Sequence, residues 1–198
     1  MHSELIASNW IQLREPDNLV SAILASAPLM ILNTLLSITV LGMFSPFSLV
    51  DVGINSLQTI TLTIHLKDVA YLIGLVFIHE LIHLVFVPGF LVSDKTFLGI
   101  TYFGGFVYSE EEIPKSRYIL ITLAPFTLLS IILPVTLGAL DLLNPLVKVL
   151  ILLNAVSSGV NMLTLILVLI QVPTDVCFTF NGIRTYWKRI DKSIPGSN

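Results

Sequence analysis

From Leu19 to Met43 the chain carries no charged side chain, and apolar runs of similar length recur at about 67–87, 118–140 and 146–172. Each is near or above the roughly 18 residues that a helix needs to cross a bilayer. Charged residues make up 12% of the 198 residues and hydrophobic residues 55%, against a globular average of roughly 25% charged. Too few charges remain to clothe a water-soluble domain, and the mean hydropathy of +0.90 agrees. The fold expected is mainly α: a polytopic membrane helix bundle of about four spans, one integral-membrane domain over residues 1–198. A net charge of -3 without a dense basic block gives no footprint for nucleic acid. Cys177 is the single cysteine, so no intrachain disulfide can form.

Residues 1–17 mix Glu4, Arg14, Glu15 and Asp17 with Leu5, Trp10 and Ile11, which suits an interfacial segment. Thr59, Thr61, Thr63 and His65 alternate with Ile60, Leu62, Ile64 and Leu66, the period of a strand. The stretch 91–108, β-branched, aromatic and punctuated by Gly99, Gly104 and Gly105, predicts one or two further strands, a small membrane-associated β element. Ser109 with Glu112, then Pro114, reads as a helix start. Residues 176–198 read as a polar C-terminal tail. Four spans return both termini to one side, and of the 10 lysines and arginines only Lys67 and Lys148 fall on the other. The positive-inside rule then puts both termini in the cytoplasm.

The second apolar run contains His79-Glu80-Leu81-Ile82-His83. With 4 histidines in 198 residues, an H-E-x-x-H pattern has a chance expectation of roughly 0.002. Helical spacing puts the two imidazoles ~40° apart around the axis and ~6 Å apart along it, so both reach one zinc ion. Glu80 projects beside them, where its carboxylate can take a proton from water and return it to a leaving amine. The bland alternative is a polar cluster with Glu80 as counter-ion. Three ionisable groups within five residues of an apolar span favour the functional reading.

A catalytic zinc normally has three protein ligands. In the fourth run Asn154, Ser158 and Asn161 follow i, i+4, i+7 spacing, a polar stripe that should face the bundle interior. It supplies Asn161 as a third ligand, or it is a helix-packing seam. Asp175 is the rival, a better donor in chemistry but placed after Pro173, which should end the span. Elsewhere Glu110, Glu111 and Glu112 read as a solvated acidic turn and His65 as a surface histidine. Cys177 reads as an unpaired interfacial thiol and Tyr186-Trp187-Lys188-Arg189 as an interfacial anchor.

Several of these segments together resemble a known family. H-E-L-I-H within a span, the glycine-punctuated strands, Leu123-Ala124-Pro125 and Asn154-Ala155-Val156-Ser157-Ser158-Gly159 are similar to the small zincin peptidases of membranes, a domain of unknown function. More distantly they resemble the core of the site-2 protease class of intramembrane metalloproteases. The resemblance covers roughly residues 60–175. It implies an aspartate as third zinc ligand soon after the Ser-Gly element, where this chain has Val160 and Asn161. It also implies that a β element at 95–108 holds substrate in extended form.

The function expected is a zinc-dependent, membrane-embedded endopeptidase acting on membrane or membrane-proximal proteins. His79, His83 and either Asn161 or Asp175 bind Zn2+, and Glu80 is the general base and acid. The partners expected are a protein or peptide substrate and the lipid bilayer. The alternative is a non-catalytic zinc-binding or peptide-binding membrane protein, a pseudoprotease.

Overall fold

A computed structural model of the chain describes residues 5, 7–46, 48, 66–89, 96–101, 104–109, 112–181 and 184–190. The alternating segment at 59–65, with His65, lies outside these residues, as do Glu110 and Glu111.

Helix α1 (Leu19–Gly42) starts where Asn18 and Ser21 cap each other: Ser21 N–H donates to Asn18 Oδ1 at 2.9 Å and Asn18 N–H to Ser21 Oγ at 3.2 Å. Helix α2 (Leu66–Phe86) carries the H-E-x-x-H sequence. The third run is helix α3 (Lys115–Phe126), a wider π segment over Thr127–Ile132, and helix α4 (Leu133–Ala139). Pro125 and Pro134 bracket that π segment rather than breaking the rod. The fourth run is helix α5 (Pro145–Ser157) and helix α6 (Gly159–Gln171), with Ser158 between them. Asn144 caps α5 by accepting from Val147 N–H at 3.0 Å, with Pro145 in the first turn where its missing N–H costs nothing. Among the described residues these make four helical stretches long and apolar enough to cross a membrane, as the apolar runs predict.

Strands β1 (Ile11–Gln12), β4 (Ile113–Pro114), β5 (Val176–Asn181) and β6 (Arg184–Arg189) form an antiparallel sheet in the order β1-β6-β5-β4. Strands β2 (Thr96–Thr101) and β3 (Gly104–Ser109) pair as a separate antiparallel hairpin, in register from Thr96 opposite Ser109 to Thr101 opposite Gly104. That hairpin falls in the segment expected to hold strands. Three other expectations change. Val176–Asn181 and Arg184–Arg189, read as part of a polar tail, are the two central strands of the larger sheet. The interfacial segment contributes its outer strand, with Ile11 opposite Trp187. Ser109 pairs in a strand, and Pro114 rather than Ser109 precedes the third helix. In each case a short strand is stabilised by the partner it pairs with, and for β1 with β6 and β4 with β5 that partner is distant in the chain.

The sheet closes one end of the bundle. Leu13, Ile113, Val176 and Phe178 meet Val87 just past α2, Tyr118 of α3, and Val168 and Val172 at the end of α6 in one apolar cluster. Tyr118 stacks on Phe178 with ring centroids 4.5 Å apart. This cluster fixes the relative depth of three helices.

Candidate metal centre

Measured from that cluster, the midpoint of His79 and His83 lies six residues before Val87, and Asn161 lies seven before Val168. At ~1.5 Å per residue the two are ~9 Å and ~10 Å deep, so the histidines and Asn161 share a level although their helix ends do not. His79 is buried and His83 half-buried. Their rings meet edge to face, centroids 5.0 Å apart.

Each imidazole is held by its Nδ1. His83 Nδ1 lies 2.8 Å from the Ile121 carbonyl oxygen of α3. A carbonyl only accepts, so this Nδ1 carries the proton. His79 Nδ1 lies 2.8 Å from Asn154 Oδ1. The orientation of Asn154 follows from its other end, where Nδ2 donates to the Pro125 carbonyl at 3.2 Å and to Ser130 Oγ at 2.8 Å. Its Oδ1 therefore faces His79, which must donate. Asn154 and Ser130 are fully buried, and Ser130 Oγ passes its own proton to the Ile151 carbonyl at 3.2 Å.

With both Nδ1 atoms protonated, both Nε2 atoms present lone pairs. They converge on Asn161, whose Nδ2 lies 3.2 Å from His79 Nε2 and 3.1 Å from His83 Nε2. An amide nitrogen has two protons, one for each lone pair, and its carbonyl oxygen sits on the same carbon. Glu80 is half-buried and follows His79 on α2, ~60° around the axis from His83.

Of the residues singled out in the sequence, the fold brings together His79, His83, Asn154 and Asn161, with Ser158 packed behind them, its Oγ donating to the Asn154 carbonyl at 2.8 Å. Asp175 is elsewhere. It is exposed in the turn between α6 and β5 with φ of 52°, its carbonyl accepting from Ile190 N–H at 3.0 Å. Among the described residues no group of three His, Cys, Asp or Glu side chains gathers to hold a metal, so Asp175 does not join the histidines. Glu112 stands next to Cys177, whose Sγ lies 3.6 Å from its carboxylate; burial, and then that carboxylate, push the thiol pKa up. Sequence reasoning missed Ser130 and the Ile121 and Pro125 carbonyls.

The two imidazoles fit zinc, and Asn161, whose Nδ2 faces them, would offer its carbonyl oxygen to an ion by turning its amide over. Two imidazoles with unprotonated Nε2 atoms, each ring fixed by a donated Nδ1–H, are what a histidine metal site requires, and Asn161 is the side chain against which both Nε2 atoms rest.

No curated protein and no solved structure matches the chain. The sequence profile of the family described as Putative zincin peptidase matches residues 72–177. That match covers more than half of the chain and takes in His79, Glu80, His83, Asn154 and Asn161, and the chain belongs to this family.

Proposed function

We propose that the protein is a zinc-dependent endopeptidase embedded in the membrane, cutting membrane or membrane-proximal protein substrates. His79, His83 and Asn161 hold the ion. Zinc, when bound, supplies a Lewis acid that acidifies water and polarises a scissile carbonyl. The chain's own residues do the rest. The Glu80 carboxylate takes a proton from the attacking water and gives it to the nitrogen of the leaving amine. Asn154 and the Ile121 carbonyl keep both imidazoles aimed while charge develops. The helices satisfy their own backbone groups against lipid. Arg14, Lys115, Arg117, Arg184, Lys188 and Arg189 cluster at the sheet end, and Lys67 and Lys148 belong to the other, which supports a cytoplasmic sheet with both termini.

The observation that carries this reading is the convergence of two Nε2 lone pairs on one amide. It calls for metal analysis of the purified protein: stoichiometric zinc in the wild type and none in His79→Ala. Glu80→Gln should keep the zinc and lose hydrolysis of a quenched peptide library in micelles, because the amide preserves shape and removes the base. Asn161→Ala should weaken zinc binding by roughly 10- to 100-fold, Asn161→Asp should strengthen it, and Asp175→Ala should change it little. Loss of zinc in Asp175→Ala alone would overturn the ligand set. The neutral amide of Asn161, where a carboxylate would balance charge, favours a second reading, a non-catalytic zinc or peptide binder. Equal behaviour of wild type and Glu80→Gln in every assay would select it.

A further inference from the structure

Helix α3 carries a fully buried proline, Pro125, in its last turn. In an α-helix the N–H of residue 125 would donate to the carbonyl of residue 121. Proline has no N–H. The Ile121 carbonyl therefore keeps a lone pair that its helical partner at i+4 cannot claim, and this is the carbonyl that receives His83 Nδ1–H at 2.8 Å. The carbonyl of Pro125 itself lies where the helix is about to widen into the π segment, and it accepts Asn154 Nδ2–H at 3.2 Å. That bond turns Asn154 Oδ1 toward His79 Nδ1 at 2.8 Å. One residue thus stands behind both imidazoles, on a helix that carries neither.

We propose that Pro125 is a positioning residue of the metal centre: its missing N–H and its carbonyl together hold His83 and His79 as Nδ1–H tautomers, with both Nε2 lone pairs turned to Asn161. The proposal rests on the zinc-site reading, but the tautomers belong to the metal-free protein and are measured without zinc. A structural role makes a different forecast. A proline inside a helix normally destabilises it by the lost bond and the ring clash, so replacing it should leave the fold intact and the histidines unchanged. The positioning role forecasts an intact fold with altered histidines.

The test compares full-length wild type with Pro125→Ala, which restores the N–H, and with Pro125 replaced by lactic acid, whose ester has alanine's methyl and no N–H. Nitrogen-15 NMR of labelled histidine in the metal-free protein reads the tautomers, and zinc titration reads affinity. In Pro125→Ala, His83 should move toward the Nε2–H tautomer and zinc binding should weaken by roughly 10- to 100-fold. The thermal midpoint should stay with the parent. The ester should restore both the tautomer and the affinity. A shifted tautomer in a protein that takes up no zinc in any form would keep the positioning role and remove the zinc reading. Unchanged histidines in Pro125→Ala, or an ester as defective as alanine, would overturn the proposal.

Discussion

Helix α1 turns Val20, Leu24 and Ile31 outward, 66%, 69% and 62% exposed, and buries Ser26, Asn33 and Ser37. The sheet, 60 or more residues away in sequence for most of its length, hides Leu13, Val176 and Phe178 and leaves Arg14 and Arg189 outside. The sheet follows the rule of water: apolar area goes inside because that releases free energy. The helices follow the rule of hydrocarbon, in which hiding a leucine from lipid gains nothing and association falls to close approach and polar contacts. Asn33 Nδ2–H reaching the Ala155 carbonyl at 3.3 Å is one such contact. The candidate metal centre belongs to the helical region and uses the same buried amides and carbonyls, while the apolar sheet end sets the depth of its helices.

The sharpest way to break this contrast is to empty each region in turn. Phe178→Ala removes the ring that stacks on Tyr118 and should cost about 3–5 kcal/mol, read as unfolding in micelles by chaotrope. Leu24→Ala in the same assay should move stability by less than about 0.5 kcal/mol. Comparable losses would mean that α1 is buried by a partner. Next in size is the crossing of α1 and α6. A Cβ on Gly159 would collide with Met30 Cγ and lie 3.1 Å from Met30 N, so Gly159→Ala should cost about 1–3 kcal/mol through overpacking. Adding Met30→Ala should recover only the side-chain part.

Two smaller effects sharpen the contrast. Asn33→Ala should cost about 1 kcal/mol by removing a buried bond. Ser37→Ala should cost nothing, because among the described residues Ser37 Oγ meets no partner. Equal losses would show that burial alone, not bonding, holds the serine face. The smallest effect is at the sheet. Burial raises the Glu15 carboxyl above its ordinary 4.5, although the N–H and hydroxyl of Thr185 and the charge of Arg184 act to lower it. The folded state then holds its proton more tightly than the unfolded one. The stabilisation is fully present below pH 4.5 and is lost as pH rises through the raised value. Melting midpoints against pH should show this decline in wild type and not in Glu15→Gln.

The spans were legible because a helix satisfies its own backbone, so that length and apolarity suffice to identify it. The histidine pair and Glu80 were legible because their spacing is a property of one helix. The stripe of Asn154, Ser158 and Asn161 announced an inward face for the same reason. The stripe pointed to Asn161 as the donor, but that Asn154 would meet Nδ1 of His79 while Asn161 meets both Nε2 atoms depends on how α5 and α6 are matched in depth to α2. Asp175 was the rival on chemistry alone, and the structure puts it in an exposed turn after α6, apart from the histidines.

What the sequence determined by itself is therefore local: helix positions, the facing of their polar residues, and the placing of His79, Glu80 and His83 on one stretch of helix. What only the tertiary structure decided is every relation between elements. Strand β6 pairs with β1 across most of the chain, so residues 176–189 looked like a tail when read alone. The Ile121 and Pro125 carbonyls carry no side-chain signal. They come to hold His83 and Asn154 only because helix α3, interrupted by a proline and widened into a π segment, lies against α2 and α5 at the level of the histidines. Depth is set by the apolar cluster beneath the sheet, a sum of contacts between residues far apart in sequence, and no local pattern encodes such a sum.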